Sequence, residues 1–78
     1  MRFPSKEQIA ALQERYPSGT RVELLGMDDP QAPPMGTRGE VMGVDDAGQL
    51  LVRWETGSSL SLIPSVDSFR IVQKGGRS

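Results

Sequence analysis

Residues 44–57 read VDDAGQLLVRWETG, and how this stretch is read decides the fold. It holds two adjacent acids, one arginine and the only tryptophan of the chain. It is either a reactive site or a β-hairpin, and a trial register separates the two. Taking Asp45–Gly48 as a four-residue turn sets Val44 against Gln49; Gly43 then faces Leu50, Val41 faces Val52 and Gly39 faces Trp54, these three pairs on one face. On the opposite face Glu40 meets Arg53, Arg38 meets Glu55 and Met42 meets Leu51. Opposite charges coincide twice, and the indole lands on a glycine that leaves room for it. Cross-strand pairs of this kind contribute about 0.2–1 kcal/mol each and pin the register. Asp45 and Asp46 are then turn formers, Arg53 a cross-strand partner and Trp54 a core residue.

The next turn supports the hairpin. Glu55-Thr-Gly57 suits a three-residue loop with a left-handed glycine, a type I turn followed by a bulge. It sets Val52 against Leu60 and Leu50 against Leu62. Upstream, "TRVELL" (20–25) alternates with Val22 and Leu24 on one face, and "TRGEVMGV" (37–44) alternates likewise. Downstream, "SLSLI" (59–63) is expected as a strand and "PSVDS" (64–68) as a single turn. "FRIV" (69–72) reads as a last strand with Phe69 and Ile71 on one face. Five short strands of this kind describe a mainly β fold, a small five-stranded SH3-like barrel. The expected core is Val22, Leu24, Val41, Leu50, Val52, Trp54, Leu60, Leu62, Phe69 and Ile71.

A short α-helix precedes the barrel. Ser5 can cap it, Gln8 completes a capping box, and Ile9, Leu12 and Tyr16 line one stripe before Pro17 and Gly19 end it. About three turns are too few for stability alone in water, so the stripe must rest on something. The expectation is that it covers outer-face apolar residues such as Met42, Leu51, Ile63 or Leu25, with a dimer contact as the alternative. The domain boundaries are then 1–19 for the helix and its cap, 20–72 for the barrel, and 73–78 for a disordered tail.

Bulk composition narrows the function. At 78 residues the chain is one small domain. It has no cysteine and no histidine, so disulfides, thiolate zinc sites and the usual general base are excluded. Nine basic against ten acidic residues leave a net charge of −1, a poor footprint for a phosphate-backbone binder. The early apolar run "IAAL" (9–12) is too short for a signal-peptide core or a membrane span. A cytoplasmic protein without cofactor or membrane association is the expectation.

Each chemical motif has a structural explanation that outweighs it. Asp28–Asp29 and Asp45–Asp46 lack a third ligand and the spacing of a calcium loop, and turn formation accounts for them. Pro30-Gln-Ala-Pro33 is a PxxP flanked by acids rather than a basic residue, which suits a stiffened loop. Arg21, Arg38, Arg53 and Arg70 could track phosphates, yet two face glutamates and Glu23 shares a face with Arg21. The serines have no histidine or interior lysine to activate them, so no catalytic residue is expected.

The span "YPSGTRVELLGMDDPQAPPMGTRGEVMGVDDAGQLLVRWETGSSLSLIPSVDSFRIV" (16–72) resembles the bacterial and phage family known as domain of unknown function 4314. The resemblance lies in the "YPxGTRV" entry, the "MDDPxAP" loop, the "GTxGxVxGVDDxG" hairpin, the "VxWxxGSxLxLIP" segment and the "DxF" ending. It implies a small protein that recurs in prophages and mobile elements, and it implies no activity. A looser likeness in the "G…GxVxxV…VxW" rhythm is to KOW and Tudor-type barrels, a rhythm that folding alone can produce.

The resulting expectation is a non-enzymatic module that binds a protein partner, monomeric, with a homodimer as the alternative. Its surface would be the long 26–36 loop and the neighbouring barrel mouth: Met27, Asp28, Asp29, Pro33, Pro34 and Met35, rimmed by Glu55 and Thr56. Proline stiffens such a loop and methionine adapts to apolar partners. The rival readings are nucleic-acid binding through the strand arginines and a small anti-defence protein.

Overall fold

The computed structural model describes residues 4–75. One helix, α1 (Lys6–Arg15), precedes four strands: β1 (Arg21–Gly26), β2 (Arg38–Val44), β3 (Leu50–Trp54) and β4 (Ser68–Gln73). The strands form one antiparallel sheet in the order β3-β2-β1-β4. The fold is mainly β, with four strands in an open sheet where five in a barrel were expected.

The missing strand has a local cause. Leu50 and Leu62 exchange both backbone hydrogen bonds, and Trp54 N–H donates to Ser58 O, so the expected register between β3 and residues 58–62 is present at both ends. Between them, Val52 and Leu60 would form the next bonded pair. The indole Nε1–H instead donates to Leu60 O at 2.8 Å, and Leu60 N–H turns to Ser58 Oγ. Residues 58–62 therefore follow β3 without completing a ladder.

The central hairpin keeps its expected register at Gly39↔Trp54, Glu40↔Arg53 and Val41↔Val52. Beyond Met42 it slips by one residue, so that Gly43 pairs with Leu51 and Val44 with Leu50. The turn is correspondingly three residues long rather than four. Asp45 N–H donates to Gln49 O, and the Asp45 carboxylate accepts from the amides of Ala47 and Gln49. Met42 is the bulged residue, and its carbonyl accepts from the hydroxyl of Ser18 at 2.9 Å.

The inner face carries the core: Tyr16, Val22, Leu24, Val41, Leu50, Val52, Trp54 and Leu62 are buried. Leu60 and Phe69 pack against this cluster from half-buried positions. Tyr16 joins it with its ring 5.6 Å from that of Phe69. Ile71, expected inside, pairs with the buried Val22 but is itself 40% exposed, because β4 is an edge strand. Gly39 gives the indole its space: a Cβ there would lie 2.7 Å from Trp54 Cε3 and 2.7 Å from Val52 Cγ1.

The capping box at Ser5 and Gln8 is present as expected. Of the residues the helix was expected to cover, it meets only Ile63, with which Ala11 and Leu12 share a cleft. Pro4 and Leu12 lie against Gly48 at the tip of the β2–β3 turn, while Met42, Leu51 and Leu25 remain exposed on the outer face. Leu12 faces the core cluster, so the stripe closes one end of the inner face instead of lying across the outer one. The helix exit is held by Thr20, which is fully buried. Its hydroxyl donates to Pro17 O at 2.6 Å and accepts from Gly75 N–H at 3.0 Å. Gln73 belongs to β4 and Gly75 is tied to Thr20, so the ordered chain extends past residue 72; residues 76–78 of the expected tail lie outside the described residues.

Candidate functional site

The loop between β1 and β2 is built from two turns and a closed neck. At the neck, Leu24 N–H donates to Thr37 O at 2.8 Å and Gly36 N–H to Leu24 O at 2.7 Å. At the far end, Asp29 Oδ1 accepts from Gln31 N–H and Asp29 O from Ala32 N–H, an Asx-capped turn. Asp29 is thus a turn former, as its position in the sequence implies. The second turn runs from Pro34 to Thr37, closed by Thr37 N–H on Pro34 O. Gly36 sits at its third position with φ of 92°, which a type II turn requires. Met35 then occupies the corner, and it is 76% exposed.

The expected loop residues divide into two sets. Met27 packs against the core cluster and Pro33 is buried, so these two hold the loop down. Asp28, Asp29, Pro34 and Met35 point to solvent. Glu55 and Thr56 are exposed in the β3 turn. Glu55 is drawn to the same end of the sheet: its N–H donates to Arg38 O at 2.9 Å, and its carboxylate accepts from Arg38 N–H at 3.2 Å. The expected Arg38–Glu55 side-chain pair is therefore a contact to backbone.

The outer face of the sheet is charged. Arg53 pairs with Glu40 at 3.3 Å and Arg70 with Glu23 at 2.6 Å, both at solvent-exposed arginines. Pairs of this exposure contribute about 0–1 kcal/mol and serve register more than stability. Met42 and Leu51 lie at one end of this face.

A feature that sequence reasoning missed is an open cleft of about 640 Å³ between the helix and the β2–β3 turn, lined by Pro4, Ala11, Leu12, Gly48, Ile63 and Pro64. Its residues are too far apart in the chain for any local pattern to announce it. Among the described residues no group of three or more acids could hold a metal ion, and no helix is long and apolar enough to cross a membrane.

Compared with known families, residues 5–72 match the model of Domain of unknown function (DUF4314). The chain belongs to this family. No curated protein and no solved structure matches it. Two of the segments that carry the resemblance acquire a structural meaning here. "YPSGT" (16–20) is the corner where Tyr16 enters the core, Ser18 holds the Met42 bulge and Thr20 bonds to Pro17 and Gly75. "MDDPQAP" (27–33) is the pinned half of the loop.

Proposed function

We propose that this DUF4314 protein is a non-enzymatic interaction module, which presents the 26–36 loop to a protein partner. The observation that carries the reading is Met35. A large apolar side chain stands 76% exposed at the corner of a loop whose other methionine, Met27, packs on the core and whose Pro33 is buried. Such a residue is displayed rather than left over, because the neck bonds and the two turns hold its backbone in place before any partner arrives. Pre-organisation of this kind lowers the ordering cost of binding. Pro34 beside it and Asp28 and Asp29 across the loop offer a mixed apolar and acidic rim, suited to a partner with an apolar pocket edged by basic groups.

The scaffold reading that goes with it is an SH3-like barrel. Residues 58–62 run beside β3, giving the lateral order 58–62, β3, β2, β1, β4, which is the order such a barrel has when its fourth strand is complete. The turn at residues 63–67, closed by Ile63 N–H on the Asp67 carboxylate at 2.8 Å, leads into the last strand as that topology requires.

The test is affinity capture from the native host with wild-type, Met35→Asp and Glu14→Gln baits. A partner recovered equally by wild type and Glu14→Gln, and reduced by at least about tenfold by Met35→Asp, is the expected result for an apolar hot spot. Equal recovery by all three removes the loop from the interface.

A further inference from the structure

The outer face of the sheet carries a pattern that cross-strand pairing does not explain. Side chains pointing outward form two rows across the strands. One row is Arg53, Glu40 and Arg21, on β3, β2 and β1; the next is Glu55, Arg38, Glu23 and Arg70, with β4 added. Signs alternate across each row, which suits neighbouring strands. They also alternate along each strand: Arg21 with Glu23, Arg38 with Glu40, and Arg53 with Glu55. Ion pairing between strands would be equally served by a strand of arginines beside a strand of glutamates. Alternation in both directions has a different consequence, because it makes the surface its own electrostatic complement.

We propose that this face is a docking surface for a second copy of the chain, stacked sheet on sheet about a two-fold axis. The axis lies in the interface, crosses the strands at right angles and runs between the two charge rows. Under that rotation every strand lies over its own counterpart running the opposite way, and one row lies over the other. Arg53 then meets Glu55 of the second copy, Glu40 meets Arg38, and Arg21 meets Glu23, each contact occurring twice. A closed two-fold interface has this isologous form. Stacked sheets sit about 10 Å apart, a gap that arginine and glutamate side chains span. The apolar ends of the face support the same occupant. Met42 and Leu51 at one end, and Leu25 at the other, are 48%, 41% and 42% exposed, and the rotation brings opposite ends together. A different protein would have to reproduce the alternation independently, whereas a second copy supplies it by symmetry.

The footprint sets the strength. Four strands about 4.8 Å apart and about 20 Å long cover roughly 400 Å² on each copy. A total of roughly 800 Å² is below the standard interface size, so the dimer is weak and electrostatic, formed at high protein concentration and low salt. The surface shares only Glu55 with the rim expected around the displayed loop, and its test reads self-association rather than partner capture, so failure of one proposal leaves the other standing.

Sedimentation equilibrium with charge-swapped pairs tests it. The wild-type protein at about 0.01 M salt is expected to gain mass with concentration and to return to monomer at about 1 M, where the screening length is roughly 3 Å. Glu40→Arg alone sets arginine against arginine where positions 38 and 40 of the two copies meet, and Arg38→Glu alone sets glutamate against glutamate there. Each variant is expected to dissociate at least about tenfold more readily than wild type, since facing like charges oppose association. Mixed in equal amounts the two regain complementarity, and a heterodimer is expected at wild-type concentrations. Far-UV circular dichroism of each variant verifies that it is folded. A wild-type protein that stays monomeric at low salt, a single variant that dimerises as well as wild type, or a mixture no heavier than its components overturns the proposal.

Discussion

Gly39 and Trp54 fit closely against each other across the β2–β3 hairpin. The indole rests where any side chain at position 39 would have to be, and its N–H reaches past the core to the carbonyl of Leu60. One residue type on each side thus sets both the packing and the path of the next segment. Gly39→Ala is expected to lower stability by about 1–3 kcal/mol, the usual cost of overpacking a well-filled core; the midpoint of urea unfolding measures it. An unchanged midpoint would mean that the indole has room to move aside. This contact was legible in the sequence because it is a matter of volume, with the only tryptophan falling opposite a glycine. Thr20 was not legible. A threonine after a proline turn reads as surface, and its burial depends on Pro17 and Gly75, the latter reached only when the chain returns from β4.

Elements were legible where local chemistry dictates them and illegible where distant groups intervene. The capping box at Ser5 and the alternation of β1, β2 and β3 follow from neighbouring residues. The slip at Met42 does not, since its carbonyl is held by Ser18, 24 positions away. The helix stripe could have rested on either face of the sheet, and nothing in its own spacing says which. Residues 58–62 are the clearest case. Their register was read correctly from the turn at Glu55–Gly57, but Leu60 bonds to the indole N–H and to the Ser58 hydroxyl, and not to Val52. Amide hydrogen exchange checks this directly. Leu50 and Leu62, which exchange both backbone bonds, are expected to be strongly protected, whereas Leu60, bonded to a serine hydroxyl, exchanges much faster. Comparable protection at all three would restore a full strand and close the barrel as first expected.

At the scale of the whole molecule, the sheet separates two surfaces with different work. Its inner face is filled by the core and closed at one end by the helix. Its outer face and its long loop meet solvent, and these are the surfaces through which the proposed partners are bound. The sequence pointed to the loop through its prolines and methionines. It could not say which of them face outward, because Met27 and Pro33 are drawn in by a core assembled from every strand. The division depends throughout on the indole facing inward. Nuclear Overhauser spectroscopy on the ring protons of Trp54 tests that most directly. Cross-peaks from Hε3 to the α-protons of Gly39 and to a methyl of Val52, with a slowly exchanging indole N–H, are the expected result. A ring with no contacts to either residue and an indole proton exchanging at the solvent rate would contradict it, and the aromatic side chain would then belong to a binding surface.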